Sequence, residues 1–511
     1  MNIPYCLRRT RHLNASRVAT VHAGTVVTYA EFAPEVERSA RKFVTLGAKK
    51  GDRVAVLMLN CPEYLDFYFS IPLCGAVIMP LNTRWHRNEV SFTLIDSGAT
   101  ILLLDERHAS IWSEISPALP LLRRVVFVGE GACPAGLEDW RGIRPAEVAE
   151  FAEPAENDLA GLFYTSGTTG GPKGAMLSHR NVWSNTIHAM LPPSGLTRDS
   201  IYLHAAPMFH LADASAIVGL TVLGATHCFL PTFEPEAVLQ LIDKHRVTNV
   251  VLVPAMLNMV VNHPNFDRYD TSSLCRITYG ASPMPVPLLQ LAMKKFAVEF
   301  VQGYGMTELS PLATVLGWQD HSLENLDREF APIKSAGQPV LGVEVKVVDA
   351  LDRELPPGEI GEIVCRGPNV MLGYWNRPEI NAEVLRGGWM HTGDLGVFDG
   401  NGFLYIRDRK KDMIKSGGEN VYSPEVESVI AGHPAILEVA VIGVPHPKWD
   451  EAVRAFVMLR AGASLSEAEL IAWCRQRLTH FKCPSSVVFT DVLPKGGTGK
   501  VQKNLLRASA S

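Results

Sequence analysis

The first half of the chain alternates segments typical of buried strands with segments typical of packed helices. Strands are predicted at RVAVLMLN (Arg53 to Asn60), AVIMPLN and ATILLLDE, and helices at EYLDFYFSIPLCG and EVSFTLIDSG. The same alternation of predicted strands and helices occurs between Val250 and Val301. Strands that alternate with helices of this length form βαβ units, whose strands pair in parallel. The sequence therefore predicts an α/β fold with a mainly parallel sheet.

The second half of the chain has a different pattern. Short alternating strands and turn residues, as in GVEVKVVDA, EIGEIVCRG and FLYIRDR, predict a small antiparallel, β-barrel-like unit at about 334–407. After RDRKKD the pattern becomes that of a compact α+β module, in which Ser423 is expected to cap a helix. The predicted organisation is a large N-terminal domain of parallel-type βα subdomains with its β-rich unit (1–407), a hinge (408–411) and a small, mobile α+β C-terminal domain (412–511).

Charge, cysteine usage and hydropathy argue against several classes of protein. The net charge of −5, without an arginine-rich run, argues against a nucleic-acid-binding surface. The nine cysteines stand singly, which fits reduced thiols in a cytoplasmic protein better than disulfides or a zinc site. Neither a signal peptide nor a transmembrane segment is expected, because the longest apolar stretches are short and broken by proline. A peripheral membrane contact and a homodimer both stay open.

The stretch YTSGTTGGPKGAM, from Tyr164 to Met176, combines glycines with a run of hydroxyls directly after a predicted strand. Such a loop exposes backbone N–H groups and hydroxyls to phosphate oxygens. It is not a P-loop, because Gly174 stands where that motif has the serine or threonine that binds magnesium. The stretch therefore predicts a phosphate-binding loop of another chemistry.

Five further segments narrow the choice: GYGMTE (303–308), GWMHTGDLG (388–396), YIRDRKKDMIKSGGENVYSPEVE (405–427), VIGVPHPKWDE (441–451) and PKGGTGKVQK (494–503). In this order, and together with the glycine-rich stretch, they resemble the adenylate-forming superfamily of acyl-CoA synthetases, luciferases and peptide-synthetase adenylation domains. The resemblance covers essentially the whole chain. It implies an acid–thiol ligase: a carboxylate attacks the α-phosphate of ATP, pyrophosphate leaves, and a thiol then attacks the acyl-adenylate. ATP and CoA are the implied cosubstrates and Mg²⁺ the implied cofactor.

The resemblance also implies a nucleotide site. Its residues are Thr165, Ser166, Gly167, Thr168, Thr169, Gly170 and Lys173 of the glycine-rich loop, Gly280, Ala281, Ser282, Gly303, Tyr304, Asp394, Arg409 and Lys500. Tyr304 would stack on adenine, and Asp394 and Arg409 would contact the ribose. Thr307 would contact the α-phosphate. Glu308 and Thr165 would hold Mg²⁺, which prefers oxygen ligands.

The C-terminal motifs imply two conformations of the enzyme. Lys500 matches the catalytic lysine that stabilises the transition state of adenylation, in which negative charge accumulates. The family serves its thioester step by rotating the small domain about a hinge, here between Asp408 and Lys411, which removes the lysine and brings KSGGEN into the site. The CoA-binding residues implied by this rotation are Ser416, Gly417, Gly418 and Trp449.

The segment PMFHLADAS bears on the choice of carboxylate. Amino-acid-activating relatives place an aspartate directly after the phenylalanine, whereas this chain has His210, so a buried ammonium would lack a partner. Asp213 stands three residues farther along and is not assumed to be equivalent. The acyl pocket is assigned to His210, Gly280, Gly303 and Gly305, with the small residues leaving a tunnel or a slot.

These pocket segments are apolar and carry no lysine or arginine. They predict a monocarboxylic acid with an apolar tail, with a medium- or long-chain fatty acid ranked first and a hydroxycinnamate or other aryl acid second. Three other activities stay open: an acyl-AMP ligase that loads a carrier protein, a luciferase-like oxygenase, and nucleotide binding without catalysis. The joint presence of Glu308, Asp394, Arg409 and Lys500 argues against the last of these.

Overall fold

The computed structural model describes residues 1–115, 119, 121–165, 172–190, 195–324, 326–496 and 501–510. Its strands are, in chain order, β1 (Val18–His22), β2 (Thr25–Thr28), β3 (Arg53–Leu57), β4 (Val77–Pro80), β5 (Ile101–Leu104), β6 (Arg124–Phe127), β7 (Glu138–Asp139), β8 (Leu159–Thr165), β9 (Lys173–Ser178), β10 (Ile201–His204), β11 (Thr226–Phe229), β12 (Asn249–Val251), β13 (Arg276–Gly280), β14 (Glu299–Gly305), β15 (Leu312–Leu316), β16 (Gln338–Pro339), β17 (Glu344–Val348), β18 (Gly361–Arg366), β19 (Gly373–Tyr374), β20 (Met390–Phe398), β21 (Leu404–Arg409), β22 (Ile414–Ser416), β23 (Glu419–Val421), β24 (Ile436–His446), β25 (Asp450–Leu459) and β26 (Ser486–Phe489).

Its α-helices are α1 (Ile3–Asn14), α2 (Tyr29–Thr45), α3 (Pro62–Leu73), α4 (Arg87–Ser97), α5 (Ile111–Ile115), α6 (His179–Met190), α7 (Leu211–Leu223), α8 (Pro235–His245), α9 (Pro254–Val261), α10 (Val286–Phe296), α11 (Pro378–Val384), α12 (Ser423–Ala431), α13 (Glu467–Arg475) and α14 (Lys503–Ala510). Among the helices of the described residues, none combines the length and apolarity that crossing a bilayer requires.

Two large sheets build the N-terminal part of the molecule. One has the strand order β19–β9–β8–β4–β3–β5–β6–β7, and its strands from β8 to β7 are parallel. The other has the order β16–β15–β14–β13–β12–β10–β11–β1–β2, and its strands from β14 to β1 are parallel. The predicted α/β class with mainly parallel sheets is confirmed.

The apolar composition of the central strands explains their position. Every residue of β4 (VIMP) and β5 (ILLL) is buried, because strands of a parallel sheet are covered on both faces. The largest core lies beside this sheet and includes edge-to-face aromatic contacts, with the ring centroids of Phe43 and Phe67 5.6 Å apart and those of Phe67 and Trp140 5.2 Å apart. Such contacts add to the stabilisation from burial itself.

The remaining strands form two smaller sheets. Strands β17, β18, β20 and β21 pair in this order in an antiparallel sheet, as the turn-rich sequence predicts. The C-terminal part has the order β23–β22–β25–β24, with β26 pairing with β25 and helices α12 to α14 around the sheet. The last strand of the antiparallel unit, β21, runs directly into the predicted hinge.

The helix predicted to be capped by Ser423 has a different start. Tyr422 occupies the capping position and Ser423 is already the first helical residue. Its hydroxyl donates to Asp408 Oδ2 at 2.9 Å and its amide donates to the same oxygen at 2.7 Å. The prediction was wrong because a carboxylate from the preceding strand satisfies the free N–H group that a capping serine would otherwise bind.

Candidate active site

A cavity of about 2040 Å³ lies where the two large sheets, the antiparallel unit and the small C-terminal module meet. The ends of β13 and β14 form part of its wall, which is the edge at which parallel α/β sheets bind ligands. Many of the predicted site residues line this cavity: Thr165, Lys173, His210, Gly280, Ala281, Ser282, Gly303, Tyr304, Gly305, Thr307, Glu308, Asp394, Arg409, Asp408 and Lys411. The fold therefore brings together residues from distant parts of the sequence.

Asp394 and Arg409 are direct neighbours across the antiparallel pair β20 and β21. Arg409 Nε lies 3.3 Å from Asp394 Oδ1, and the Tyr304 hydroxyl donates to Asp394 Oδ2 at 2.9 Å. Burial, together with this carboxylate, raises the pKa of Tyr304 well above its usual range, so the phenol stays protonated and remains a donor. The residues assigned to adenine and ribose thus form one connected cluster.

Glu308 is buried beside this cluster, with 4% of its surface exposed. Its Oε1 accepts a hydrogen bond of 2.5 Å from the hydroxyl of Tyr374, which lies in β19 of the other large sheet. Burial and the Glu308 carboxylate raise the pKa of the Tyr374 phenol far above its usual range. The contact holds the carboxylate in one orientation at the junction of the two sheets.

The glycine-rich loop joins the antiparallel strands β8 and β9. Thr165 and Lys173, at its two ends, face each other in register, and both line the cavity. The Lys173 ammonium lies 5.5 Å from the centroid of the Tyr374 ring, which brings it close to the Glu308 cluster. The other loop residues assigned to phosphate binding, Ser166, Gly167, Thr168, Thr169 and Gly170, lie outside the described residues.

The glycines of the pocket segments have different structural roles. A Cβ atom on Gly280 would lie 2.2 Å from the carbonyl oxygen of Gly303, and one on Gly305 would lie 1.8 Å from that of Pro311. Neighbouring backbone therefore fills the space that a side chain at Gly280 or Gly305 would need, while all the pocket glycines still line the cavity, and the tunnel or slot assigned to them stays a prediction. Only glycine allows so close an approach of two backbones.

Asp408 joins the large domain to the small one. Its carboxylate, 5% exposed, accepts from the amide and hydroxyl of Ser423 and also from the amide of Arg409, at 2.7 Å. Burial raises the pKa of Asp408. Next to it, Lys410 Nζ lies 3.1 Å from Glu362, and burial lowers the pKa of Lys411. The predicted hinge thus begins with a buried residue that contacts both domains.

Lys500 lies outside the described residues, but both ends of its loop are described. Gly496 and Val501, which flank the segment that is not described, line the same cavity as the nucleotide residues. Lys503 follows, with Nζ 2.7 Å from Glu427 and 2.5 Å from the Ser423 hydroxyl. These hydrogen bonds link the segment after Lys500 to the hinge, because Ser423 also donates to Asp408.

The four CoA candidates lie together on the small domain. Gly417 and Gly418, with φ of +63° and +87°, form the turn between β22 and β23, a conformation that favours glycine. The Gly417 amide donates to the Trp449 carbonyl at 2.8 Å, and Ser416 is the last residue of β22. The Trp449 ring is 38% exposed and stacks on His446 at 4.4 Å. None of the four is among the residues that line the cavity in the described chain.

The acid side of the cavity lies under helix α7. His210 begins this helix, and its Nδ1 accepts from the Ala212 amide at 3.1 Å. Asp213 is fully buried, with one oxygen 2.6 Å from His204 Nδ1 and the other accepting from the Tyr202 hydroxyl at 3.3 Å. Because both oxygens bind groups of the fold, Asp213 does not offer a free carboxylate to a substrate ammonium.

The donor set suits a magnesium ion that is shared with ATP. The described residues contain no group of three or more His, Cys, Asp or Glu side chains that could hold a metal. Glu308 Oε1 binds Tyr374, while no described residue binds its Oε2, and Thr165 lies on the same cavity wall. Mg²⁺ is commonly held by one or two carboxylates, substrate phosphates and water. Glu308 and Thr165 therefore fit the ion as part of an ATP site.

Several residues of this site were not identified in the sequence. Tyr374, Glu427 and Lys503 become recognisable only through their contacts with Glu308, Ser423 and the hinge. Lys503 ends the PKGGTGKVQK segment, so its place in that motif was a usable signal. Tyr374 offers no comparable signal, because its partner lies 66 positions away, in a short 3-10 helix after β14.

Comparison with known proteins agrees with this arrangement. A feruloyl-CoA synthase from Amycolatopsis is 41% identical over 502 residues, which are 98% of this chain and 97% of that protein. A long-chain-fatty-acid–CoA ligase from Mycobacterium tuberculosis is 35% identical over 528 residues, covering 100% and 99% of the two chains. The crystal structure of an anthranilate CoA ligase with anthranoyl-AMP superposes with a TM-score of 0.91 at 26% identity, covering 100% of this chain and 97% of that one.

The family assignment follows from two matches along the chain. Residues 7–375 match the family described as AMP-binding enzyme. Residues 425–500 match the family described as AMP-binding enzyme C-terminal domain. The segment between the two matches, 376–424, contains Asp394, Arg409 and the predicted hinge. The chain belongs to the AMP-binding enzyme family of the adenylate-forming superfamily.

Proposed function

We propose that this chain, an AMP-forming CoA ligase, activates an aryl acid of the hydroxycinnamate type. The observation that carries the proposal is the 41% identity to a feruloyl-CoA synthase over 98% of the chain. The solved anthranilate CoA ligase, whose substrate is also an aryl acid, supports it further. This reverses the order suggested by the sequence, in which a fatty acid ranked first and an aryl acid second.

The wall of the acid pocket supports a monocarboxylate. Its lining includes Ala212 and Ala216 of α7, Val251 of β12 and Thr278 of β13. In the described chain, neither lysine nor arginine lines the cavity from α7, β10, β12 or β13. Arg276, at the start of β13, forms an ion pair with Glu299 and is not a lining residue. A second carboxylate on the substrate would therefore meet neither a lysine nor an arginine that lines the cavity from these four elements, and burying it there would be costly.

The adenylation step builds negative charge on the α-phosphate while pyrophosphate leaves. Thr307 and Lys500 are assigned to that charge, and Lys173 to the leaving pyrophosphate. The Tyr304, Asp394 and Arg409 cluster would fix the nucleoside, so that the acid oxygen and the phosphorus meet in the correct orientation. Glu308 would hold Mg²⁺, which when bound neutralises phosphate charge. The Tyr374 hydroxyl orients the Glu308 carboxylate for this role.

The thioester step needs a different group of residues at the cavity. Gly496 and Val501, on either side of the Lys500 segment, line the cavity, whereas Ser416, Gly417, Gly418 and Trp449 do not, which is the arrangement expected for adenylation. Rotation about Asp408 to Lys411 would bring the turn at Gly417 and Gly418 to the acyl-adenylate and form a passage for the thiol arm of CoA. The thiol sulfur then attacks the acyl carbon, the bond from this carbon to the AMP oxygen breaks, and AMP leaves.

A fatty acid is the second candidate. The 35% identity to a long-chain-fatty-acid–CoA ligase over the whole chain favours it, and the apolar lining would also suit an alkyl tail. The two candidates differ in shape, because an alkyl chain needs a long narrow space and an aryl acid needs a flat one.

Product analysis with ATP, CoA and a panel of acids tests the proposal. We expect AMP, pyrophosphate and an aryl-CoA thioester, with hydroxycinnamates giving a higher kcat/KM than fatty acids of eight to sixteen carbons. A higher kcat/KM for the fatty acids would transfer the assignment to the second candidate. Release of phosphate in place of pyrophosphate, or a turnover rate that does not depend on the added acid, would contradict both candidate functions. Thioester formed only on a carrier protein would indicate a carrier-loading ligase, and light or oxidised products would indicate an oxygenase.

A further inference from the structure

We propose that Asn249 and Tyr202 form a polar end wall of the acid pocket that recognises oxygen substituents on the ring of the substrate. The inference rests on the proposed function, since it presupposes an aryl acid. Both residues line the cavity although they are almost fully buried, with 6% and 3% of their surfaces exposed. They belong to neighbouring parallel strands, where Tyr202 pairs with Asn249.

The sheet register places this wall far from the nucleotide. Asn249 pairs with Arg276 at the start of β13, whereas Gly280, beside the nucleotide cluster, ends the same strand four residues later. At about 3.3 Å per residue, the position of Asn249 and Arg276 is about 13 Å from that of Gly280 along the strand. Val251 and Thr278 line the cavity between them. A rigid aryl acid whose carboxylate lies at the nucleotide end would therefore direct the far side of its ring towards Asn249 and Tyr202.

Asn249 offers an unused donor at this wall. Its Oδ1 accepts from the hydroxyl of Thr248 at 2.7 Å. Its Nδ2 makes no hydrogen bond to any described residue. Because Asn249 lines the cavity, this donor is open to a ligand, and a ligand that covered it without offering an acceptor would leave it unpaired at a cost in binding free energy. An oxygen on the ring supplies that acceptor.

Tyr202 offers the complementary acceptor, because a chain of buried hydrogen bonds already uses its proton. Asp213 Oδ2 lies 2.6 Å from His204 Nδ1, His204 Nε2 lies 2.9 Å from His227 Nδ1, and His227 Nε2 lies 3.2 Å from the Thr221 hydroxyl. Burial lowers the pKa of His227 well below its usual range, so this imidazole is neutral.

With His227 neutral, the following proton arrangement satisfies every contact. Thr221 donates to His227, His227 to His204, and His204 to Asp213. The Tyr202 hydroxyl then donates to the other oxygen of Asp213. Its own oxygen can accept a hydrogen bond from the ligand but has no proton left to donate. Tyr202 therefore selects a ring hydroxyl, which can donate to it. The Asn249 amide can donate either to a hydroxyl or to a methyl ether.

These polarities predict an order of substrates. We expect the wild-type enzyme to favour 4-hydroxycinnamate over 4-methoxycinnamate, and both over cinnamate, with about 10²-fold in kcat/KM between the first and the last. Asn249→Leu, which keeps the volume and removes the amide, should lower kcat/KM for the two oxygenated acids at least tenfold and leave cinnamate within about threefold. Tyr202→Phe should remove mainly the preference for hydroxyl over methoxy.

Thr221→Val is the matched control, because it removes a hydrogen bond at the other end of the same buried network without touching the cavity. Its order of substrates should match that of the wild type, and thermal unfolding of each variant shows whether it folds. An equal loss for all three acids in Asn249→Leu, or an unchanged order, would overturn the inference while the proposed function stands. No turnover of any aryl acid by the wild-type enzyme would overturn both.

Discussion

The two halves of the candidate site are held in place by different kinds of contact. In the large domain, the paired strands β20 and β21 place Asp394 beside Arg409, and the ends of two sheets bring Glu308 to Tyr374. In the small domain, Lys503, which follows the Lys500 segment, is linked to the predicted hinge by side-chain hydrogen bonds through Ser423. Backbone ladders resist rearrangement, whereas a few side-chain contacts can be exchanged. The difference suits the proposed mechanism, in which one fixed nucleotide site is used for both half-reactions. The small domain would bring different residues to that site in each of them.

The largest expected effect belongs to Lys500. Lys500→Ala should lower the rate of adenylation about 10²-fold to 10³-fold, because the charge that develops on the α-phosphate loses its cation. Conversion of supplied acyl-adenylate to thioester should stay near the wild-type rate. Pyrophosphate release and thioester formation measure the two steps separately. The control is Lys482→Ala, a lysine of the same domain that pairs with Glu425. Equal losses in both half-reactions would contradict a small domain that alternates between them.

The next effect tests the rigid half of the comparison. Glu308→Gln keeps the shape of the side chain and removes its charge, so we expect adenylation to fall about 10²-fold and to need more magnesium. Tyr374→Phe, which removes only the hydroxyl that orients this carboxylate, should cost less. Pyrophosphate release measured across a magnesium titration distinguishes the two variants. A Glu308→Gln enzyme with the wild-type magnesium dependence would remove the metal role from this residue.

The link between the hinge and the lysine loop should show a moderate effect. Ser423→Ala removes the hydroxyl that donates to Asp408 and accepts from Lys503. We expect adenylation to fall about fivefold, since one buried hydrogen bond contributes about 1 kcal/mol. Ser466→Ala is the control, because Ser466 caps α13 in the same domain and its loss lowers stability without touching the hinge. A similar ratio of half-reaction rates in both variants would show that Ser423 is only structural.

A smaller effect is expected at the exposed face of the small domain. Trp449→Ala removes a half-exposed ring that packs beside the turn at Gly417. Its KM for CoA should rise a few-fold, because a partly exposed aromatic contact contributes about 1 kcal/mol, while the KM for ATP stays unchanged. Steady-state kinetics with each cosubstrate varied in turn measure this. Equal changes in both KM values would argue against a CoA contact.

The smallest effect on activity, and the most specific effect on stability, belongs to Asp66 in the core of the large domain. Burial raises the pKa of its carboxyl to about 7, so the native state keeps a proton that the unfolded state releases above about pH 4. The stability contribution of Asp66 is therefore complete below pH 4 and is lost as the pH rises towards 7.

Asp66→Asn should remove this dependence, because the amide does not ionise. Thermal unfolding at pH 5 and pH 8 should give a smaller difference for the variant than for the wild type, with activity near the wild-type level. Asp491→Asn, at an exposed position, is the control and should leave the difference unchanged. An unchanged difference in Asp66→Asn would mean that this carboxyl is ionised in the native protein.

Motif order and hydrophobic periodicity predicted much of the fold. The alternation of strands and helices between Arg53 and Leu104 is found as predicted, because buried parallel strands need continuous apolar runs. The antiparallel unit predicted for the second half is found in the sheet of β17, β18, β20 and β21. The start of the helix at Ser423 was predicted wrongly, since a capping pattern in the sequence does not reveal a carboxylate that arrives from another strand.

For the site, the sequence identified the residues whose chemistry is carried by local motifs. Tyr304, Asp394 and Arg409 were named from short segments, and the fold brings them into contact. Tyr374 and Asn249 were not, because no local pattern separates them from an ordinary core tyrosine or strand asparagine. Their importance depends on which atoms stay without a partner after folding.

The sequence by itself determined the chemistry: a glycine-rich phosphate loop that is not a P-loop, followed by an ordered series of acidic, aromatic and basic motifs. Only the tertiary structure decided how these motifs act together. It joined Glu308 to Tyr374 across two sheets, tied Lys503 to the hinge, and used the Asp213 carboxylate inside the fold. Residue types and their spacing are local properties of a chain, whereas hydrogen-bond partners in a buried site depend on packing between elements that are distant in sequence.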